Sequence, residues 1–111
     1  MTITVFPKML EAELPALDSP HTNARLKDFA TSANPNAPLT FGLYKQEKGL
    51  PLEYTYEFEE YKMLISGDLQ VKDRAGKVYS LKPGDVIGFG KGDKVVFSSE
   101  SSALTFYVAQ R

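Results

Sequence analysis

The stretch that decides the fold is Lys82-Pro83-Gly84-Asp85-Val86-Ile87-Gly88-Phe89-Gly90-Lys91-Gly92-Asp93-Lys94-Val95-Val96-Phe97-Ser98. Pro83 presets φ, Gly84 tolerates a positive φ, and the Asp85 side chain can cap the turn they make. Gly90-Lys91-Gly92-Asp93 is a second turn. Between the two lies Val86-Ile87-Gly88-Phe89, and after them come Val95, Val96 and Phe97. These runs have the length and the β-branched and aromatic content of strands, and they are too short for helices.

The pattern continues on both sides. Apolar runs at residues 39–45, 52–58, 61–66, 69–72, 78–81, 86–89, 95–98 and 104–109 are separated by turn signals. These are Lys48-Gly49, Gly67-Asp68, the hairpin loop Asp73-Arg74-Ala75-Gly76, the two turns above, and a polar loop at 99–102. About eight short strands with tight turns and no long helix make an all-β sandwich or barrel. Residues 1–38 read differently. Thr2-Ile3-Thr4-Val5-Phe6 alternates like a strand that Pro7 ends. Residues 10–14 suit a helical turn before Pro15, and 25–29 suit another. Residues 31–38 are turn chemistry throughout. With no internal repeat and no linker, the expectation is one domain: an N-terminal strand and irregular arm at 1–38, then a barrel at 39–111.

Composition narrows the function classes. A chain of 111 residues has room for one core and one modest pocket. Its 42% apolar and 24% charged residues are those of a globular protein. The net charge is −1, with no basic stripe, so no nucleic-acid partner is expected. No apolar run is long enough to span a membrane. Residues 1–10 lack the basic start and long apolar run of a signal peptide, which points to the cytoplasm. The absence of cysteine excludes disulfides, thiolate nucleophiles and cysteine-bound metal. The single histidine, His21, excludes any site that needs two histidines from one chain, and its setting, Ser19-Pro20-His21-Thr22, is that of a loop residue.

The spacing of Glu60 and Gly67, followed by Gly84, Asp85 and Gly92, resembles the two sequence motifs of cupins, in the right order. The turn residues match and the metal residues do not. Tyr54 and Tyr56 stand at the first motif's histidine positions, Val95 at the second motif's histidine and Ser99 at its asparagine. Lys48 stands at the opening glycine and Gly90 at the usual proline. A closer resemblance, over about residues 39–109, is to the cupin domain of the ethanolamine-utilisation protein Q (EutQ) family. It is carried by Tyr54-Thr55-Tyr56-Glu57-Phe58-Glu59-Glu60, Lys62 to Leu69, Gly84-Asp85-Val86-Ile87, Lys91-Gly92 and Phe106-Tyr107-Val108-Ala109. That family also places a tyrosine-rich, acidic segment where other cupins have histidines. The resemblance implies a cupin-type double-stranded β-helix, a jelly-roll barrel with an irregular N-terminal segment. It also implies an acetate kinase activity, which has been assigned to the family.

Alternate side chains of a strand point inward, so Tyr54, Tyr56 and Phe58 share a face. The resemblance brings Glu60 into the same pocket. A carboxylate walled by aromatics is desolvated, which raises its pKa towards the range of proton transfer, and a tyrosine hydroxyl beside it can donate to a developing oxyanion. Glu60 and Tyr56 are thus the candidate catalytic residues. Tyr54, Tyr44 and Lys62 are the candidate substrate-binding residues, with the direction of Lys62 depending on whether a bulge follows Glu60. The structural alternative is that the tyrosines are core residues that satisfy Glu60. Glu53, Glu57 and Glu59 read as the outer face of a strand, and Lys91 and Lys94 as a solvated face. The Gly88, Gly90, Gly92 spacing leads into a strand, not the helix that a phosphate loop would open.

No metal and no cofactor are expected. Three functions stay open: a metal-independent enzyme of lyase or isomerase type acting on a small molecule, a binding or sensing module that uses the same pocket without turnover, and the acetate kinase-like activity. The expected partners are a small-molecule ligand and a second copy of the chain. In the homodimer, which light scattering would test, residues 2–6 cover an exposed strand edge.

Overall fold

The computed structural model describes residues 3–111. Among the described residues, nine antiparallel strands follow one 3-10 turn at Met9–Glu11: β1 (Ala24–Thr31), β2 (Thr40–Glu47), β3 (Leu52–Thr55), β4 (Glu60–Gly67), β5 (Leu69–Lys72), β6 (Val78–Leu81), β7 (Val86–Phe89), β8 (Lys94–Ser98) and β9 (Ser102–Ala109). A five-stranded sheet in the order β1-β2-β9-β4-β7 faces a four-stranded sheet in the order β3-β8-β5-β6. This is the jelly-roll architecture. Three of the runs read from the sequence, those at 69–72, 78–81 and 86–89, coincide with strands.

Period-two alternation builds the interior. Along β4, Glu60, Lys62 and Leu64 are buried while Tyr61 and Met63 are exposed. Along β9, Ala103, Thr105, Tyr107 and Ala109 are buried. From the opposite sheet come Leu69 and Val71 of β5 and Val95 and Phe97 of β8. Each fully buried leucine, such as Leu64 or Leu69, contributes about 1.5–3 kcal/mol.

The turns behave as their chemistry requires. Asp85 N–H donates to the Lys82 carbonyl at 2.9 Å, and the Asp85 carboxylate accepts from Lys82 N–H at 2.9 Å. Asp93 does the same for Gly90, at 3.1 and 2.7 Å. Asp68 organises the loop before β9. Its carboxylate accepts from Glu100 N–H at 2.8 Å, from the Gln70 amide at 3.1 Å and from the Ser101 hydroxyl. These bonds, the Ser101 one foremost, hold its pKa down from 3.8 to about 2. A pKa lower in the folded than in the unfolded chain means stabilisation that is complete above 3.8 and lost as pH falls to about 2. In acid titrations followed by circular dichroism, Asp68→Asn is therefore expected to be less stable than the wild type near neutrality. The difference should shrink towards pH 2, and a constant difference would refute the assignment.

Three expectations are corrected. Residues 25–29 form no helical turn but lie in β1, whose backbone pairs with β2 from Ala24↔Gln46 to Thr31↔Thr40 and whose Ala24 and Leu26 pack on the core. The pairing partner outweighs the weak local helical pattern. Residues 3–6 form no strand; Phe6 instead packs edge-on against Phe41 of its own chain, with ring centroids 5.0 Å apart. Thr2 lies outside the described residues. The strand expected at 52–58 stops at Thr55, because residues 56–59 carry the chain from the four-stranded sheet to the five-stranded one. That corner is pinned by Tyr56, whose N–H donates to the Asp93 carbonyl at 2.8 Å and whose carbonyl accepts from Gly92 N–H at 2.7 Å.

Candidate active site

The corner at 56–59 delivers Tyr56 and Phe58 to the interior just ahead of the inward-facing Glu60 and Lys62. Tyr54, Tyr56 and Phe58 form one aromatic cluster, with Tyr54 and Tyr56 in edge contact at 4.8 Å and Tyr56 stacked on Phe89 at 4.5 Å. The site's centre is one carboxylate oxygen. Glu60 Oε2 accepts the hydroxyl proton of Tyr56 and lies 2.8 Å from Lys62 Nζ, with both charged side chains 5% exposed. Lys62 therefore faces the interior: the bulge on β4 falls at Leu64/Ser66, beyond it, and leaves its alternation with Glu60 intact.

The ammonium of Lys62 is otherwise surrounded by rings. It sits 4.7 Å from the centroid of Tyr107, 5.0 Å from Tyr44 and 5.5 Å from Phe97. Such contacts stabilise a cation that water no longer reaches. Burial still dominates and lowers the Lys62 pKa below its ordinary 10.5, with the Glu60 charge opposing the shift. Desolvation also raises Tyr44, Tyr56 and Tyr107, so all three are phenols at physiological pH; for Tyr56 the Glu60 carboxylate adds to the effect.

A cavity of about 190 Å³ opens on this pair. Its walls are Leu17, Leu26, Tyr44, Leu52, Tyr54, Tyr56, Phe58 and Phe97, with Glu60, Lys62 and Arg111 as its charged groups. It is smaller than the roughly 300–1,000 Å³ of pockets for drug-sized ligands, and so suits a molecule of a few heavy atoms. Two larger hollows lie away from Glu60. One, of about 790 Å³, separates the N-terminal arm from the outer face of β2 and β9, and the other, of about 490 Å³, is bounded by β5, β7 and the 73–75 loop.

All five expected site residues line the cavity, each in its own way. Tyr56, Glu60 and Lys62 form the polar centre. Tyr44 presents only its ring, since its hydroxyl donates to Gln46 Oε1. Tyr54 is 39% exposed and stands at the mouth. Glu53 is on the surface with Lys94 at 2.9 Å, and Glu57, Glu59, Lys91 and His21 take no part.

Residues that the sequence reading did not single out complete the site. Asp28 of β1, Gly42 of β2, Tyr107 of β9 and Lys62 of β4 are successive partners in one row across the sheet. Because Gly42 has no side chain, the Tyr107 ring lies across it and its hydroxyl donates to Asp28. Arg111 closes the row with two bonds to Asp28, at 2.8 and 2.9 Å, and rests over the Phe58 ring at 5.2 Å. Those bonds are the main cause of the lowered pKa of Asp28. Inward alternation in β9 could have indicated Tyr107, but nothing local links it to Asp28.

The resemblance to cupins raises the expectation of a metal at Glu60. The donor set does not fit one. Glu60 is the cavity's one carboxylate, its Oε2 already bonds an ammonium and a phenol, and neutral phenols are poor ligands. Among the described residues no three His, Cys, Asp or Glu side chains converge on a possible metal position. The positive charge at the carboxylate is supplied by Lys62.

The family described as ethanolamine utilisation protein EutQ matches residues 4–110. The chain belongs to the EutQ family. The EutQ protein of Clostridium difficile superposes with a TM-score of 0.78 at 23% identity, covering 93% of this chain and 77% of that one. A putative ethanolamine utilization protein Q of Salmonella typhimurium LT2 gives 0.75 at 25% identity, covering 87% and 77%. A cupin 2 conserved barrel domain protein of Salinispora arenicola gives 0.70 at 18% identity, over 100% and 89%. No curated protein matches significantly. This EutQ-family chain therefore has the cupin fold, as the tyrosine-rich segment and the turn glycines imply.

Proposed function

We propose that the cavity is a metal-independent acid/base site for a small carbonyl compound, in the manner of a lyase or isomerase. The observation that carries the reading is the single carboxylate oxygen shared by a phenol and an ammonium inside an aromatic cavity. Glu60 takes a proton from the carbon beside the carbonyl. The Tyr56 hydroxyl is the donor for the oxyanion that forms, and Lys62 offsets the negative charge. Leu26, Leu52 and the tyrosine rings exclude water, which strengthens each of these interactions.

A second reading, a binding or sensing cupin without turnover, is favoured by one observation: no buried polar side-chain atom among the described residues lacks a hydrogen-bond partner. The acetate kinase-like activity asks for a cationic clamp on phosphates. Lys62 and Arg111 are each engaged with a carboxylate, so the geometry favours proton transfer over it.

Glu60→Gln separates the first two readings. With small aldehydes, ketones and hydroxy acids as candidate ligands, the variant should keep binding, seen as tyrosine chemical-shift changes, and lose turnover by about 10²–10⁴-fold. Binding by the wild type with no turnover of any candidate would favour the sensing module. We further propose a homodimer, whose second copy covers Tyr61, Met63 and Val86, adjoining exposed side chains of β4 and β7.

A further inference from the structure

We propose that Lys62 is a nucleophile, which takes a small aldehyde or ketone as a covalent imine on its Nζ. The proposal rests on the reading of the cavity as a carbonyl site and specifies how the compound is held.

Four observations converge on Lys62. It is a lysine inside the core, on the wall of a cavity that opens to solvent past Tyr54. Its Nζ has one anionic partner, Glu60, at 2.8 Å; its other neighbours are the faces of Tyr44, Tyr107 and Phe97. The nearby Asp28 is already held by Arg111 and Tyr107 and adds no second counter-charge in contact. The cavity's volume and apolar walls select a short, uncharged carbonyl compound.

Structural lysines reach water, because a buried ammonium costs several kcal/mol. One held in apolar surroundings gives up its proton more readily and becomes an amine, the form that attacks a carbonyl. The charged and titratable groups facing it are Glu60 from its own strand β4, Tyr56 from the corner before that strand, Tyr44 from β2 and Tyr107 from β9, with Asp28 and Arg111 behind Tyr107.

The step balances with the groups present. Glu60 takes a proton from the Lys62 ammonium. The amine lone pair forms the N–C bond while the C=O π pair moves to oxygen, and one proton passes from nitrogen to that oxygen to give a carbinolamine. Its C–O bond then breaks, the proton on Glu60 leaves with the hydroxyl as water, and the nitrogen lone pair completes C=N. Ammonium and carbonyl become protonated imine and water, Glu60 is again a carboxylate, and the oxidation level does not change.

The test is trapping with borohydride. The 111-residue chain is incubated near neutral pH with propanal or acetone at limiting concentration, reduced, digested and mapped by mass spectrometry. Lys62 should carry the alkyl adduct at about tenfold or more above Lys91 or Lys94, since the aromatic cavity that Lys62 lines holds the carbonyl compound beside its Nζ. Lys62→Arg keeps a cation for Glu60, and should bind the carbonyl compound without forming the adduct at this site. Two results overturn the proposal. If tyrosine shifts report binding but Lys62 is labelled no more than the surface lysines, the imine is wrong and the carbonyl site stands. If there is neither binding nor adduct, both are wrong. Mapping the wild type decides even if a variant fails to fold.

Discussion

Replacing Lys62 with methionine is expected to lower the free energy of unfolding by about 3–5 kcal/mol, the cost of leaving a buried charge without its partner. The residue removed is 4% exposed and the Glu60 that stays behind is also 4% exposed, so water cannot take over the role of the ammonium. The double variant Lys62→Met/Glu60→Gln removes both charges and should recover a large part of the loss, because a buried pair contributes little net stability over an uncharged replacement. Urea unfolding of the four proteins gives the coupling energy as a double-mutant cycle. A single variant within about 1 kcal/mol of wild type would show that the pair is not buried as described.

The same lysine gives stability a definite pH dependence. Its folded pKa lies below 10.5, so between that folded value and 10.5 the unfolded chain holds more protons. The lysine's contribution to stability therefore rises with pH across that window, and the full cost of burying the cation applies below it. Tyr44, Tyr56 and Tyr107 act in the opposite sense above about 10, since their folded values are raised. The difference between wild type and Lys62→Met isolates the lysine. The cost of the substitution should be larger at the top of the window than at neutral pH.

Gly42→Ala should cost about 3 kcal/mol or more, at the upper end of what overpacking does. In a strand the opposite sign would be ordinary, because an alanine reduces the freedom of the unfolded chain and stabilises by about 0.4–1 kcal/mol where it fits. Here it does not fit. A Cβ on Gly42 would meet the Lys27 carbonyl oxygen and the Tyr107 hydroxyl well inside contact distance, and the Tyr107 Cζ at 2.7 Å. The carbonyl belongs to the backbone of β1 and can yield only if β1 moves away from β2. The ring can yield only by leaving Asp28, and it would then no longer lie flat beneath the Lys62 ammonium. Thermal unfolding measures the stability loss. In nuclear magnetic resonance spectra the Asp28 and Tyr107 signals should shift together. An alanine variant as stable as wild type would mean that the Asp28–Gly42–Tyr107–Lys62 row does not exist as described.

Strand chemistry was legible because its signals are local. Pro83-Gly84-Asp85 and Gly90-Lys91-Gly92-Asp93 make the turns that their residues demand, and the apolar runs between turns are strands. Residues 25–29 misled because a short run has little preference of its own, and its state depends on whether β2 offers a ladder of hydrogen bonds. Residues 56–58 misled because alternation persists through a corner at which the chain changes sheets. Tyr56 still points inward there, because the corner keeps its side chain in the core.

The candidate site divides in the same way. Tyr54, Tyr56, Glu60 and Lys62 lie within one short segment, and period-two alternation together with the family resemblance was enough to bring the first three to one pocket. The side to which Lys62 points turned on the position of a bulge, a property of how β4 pairs with β9. The sequence alone determined an all-β chain with tight turns, no cysteine chemistry, a single histidine and a tyrosine-glutamate segment in place of metal ligands. Only the tertiary structure decided that Lys62 is the counter-charge of Glu60, and that Asp28, Gly42, Tyr107 and Arg111 support it. Asp28, Gly42, Lys62 and Tyr107 stand at least 14 positions apart and meet only through the register of four strands, which depends on long-range pairing and packing that no local pattern encodes.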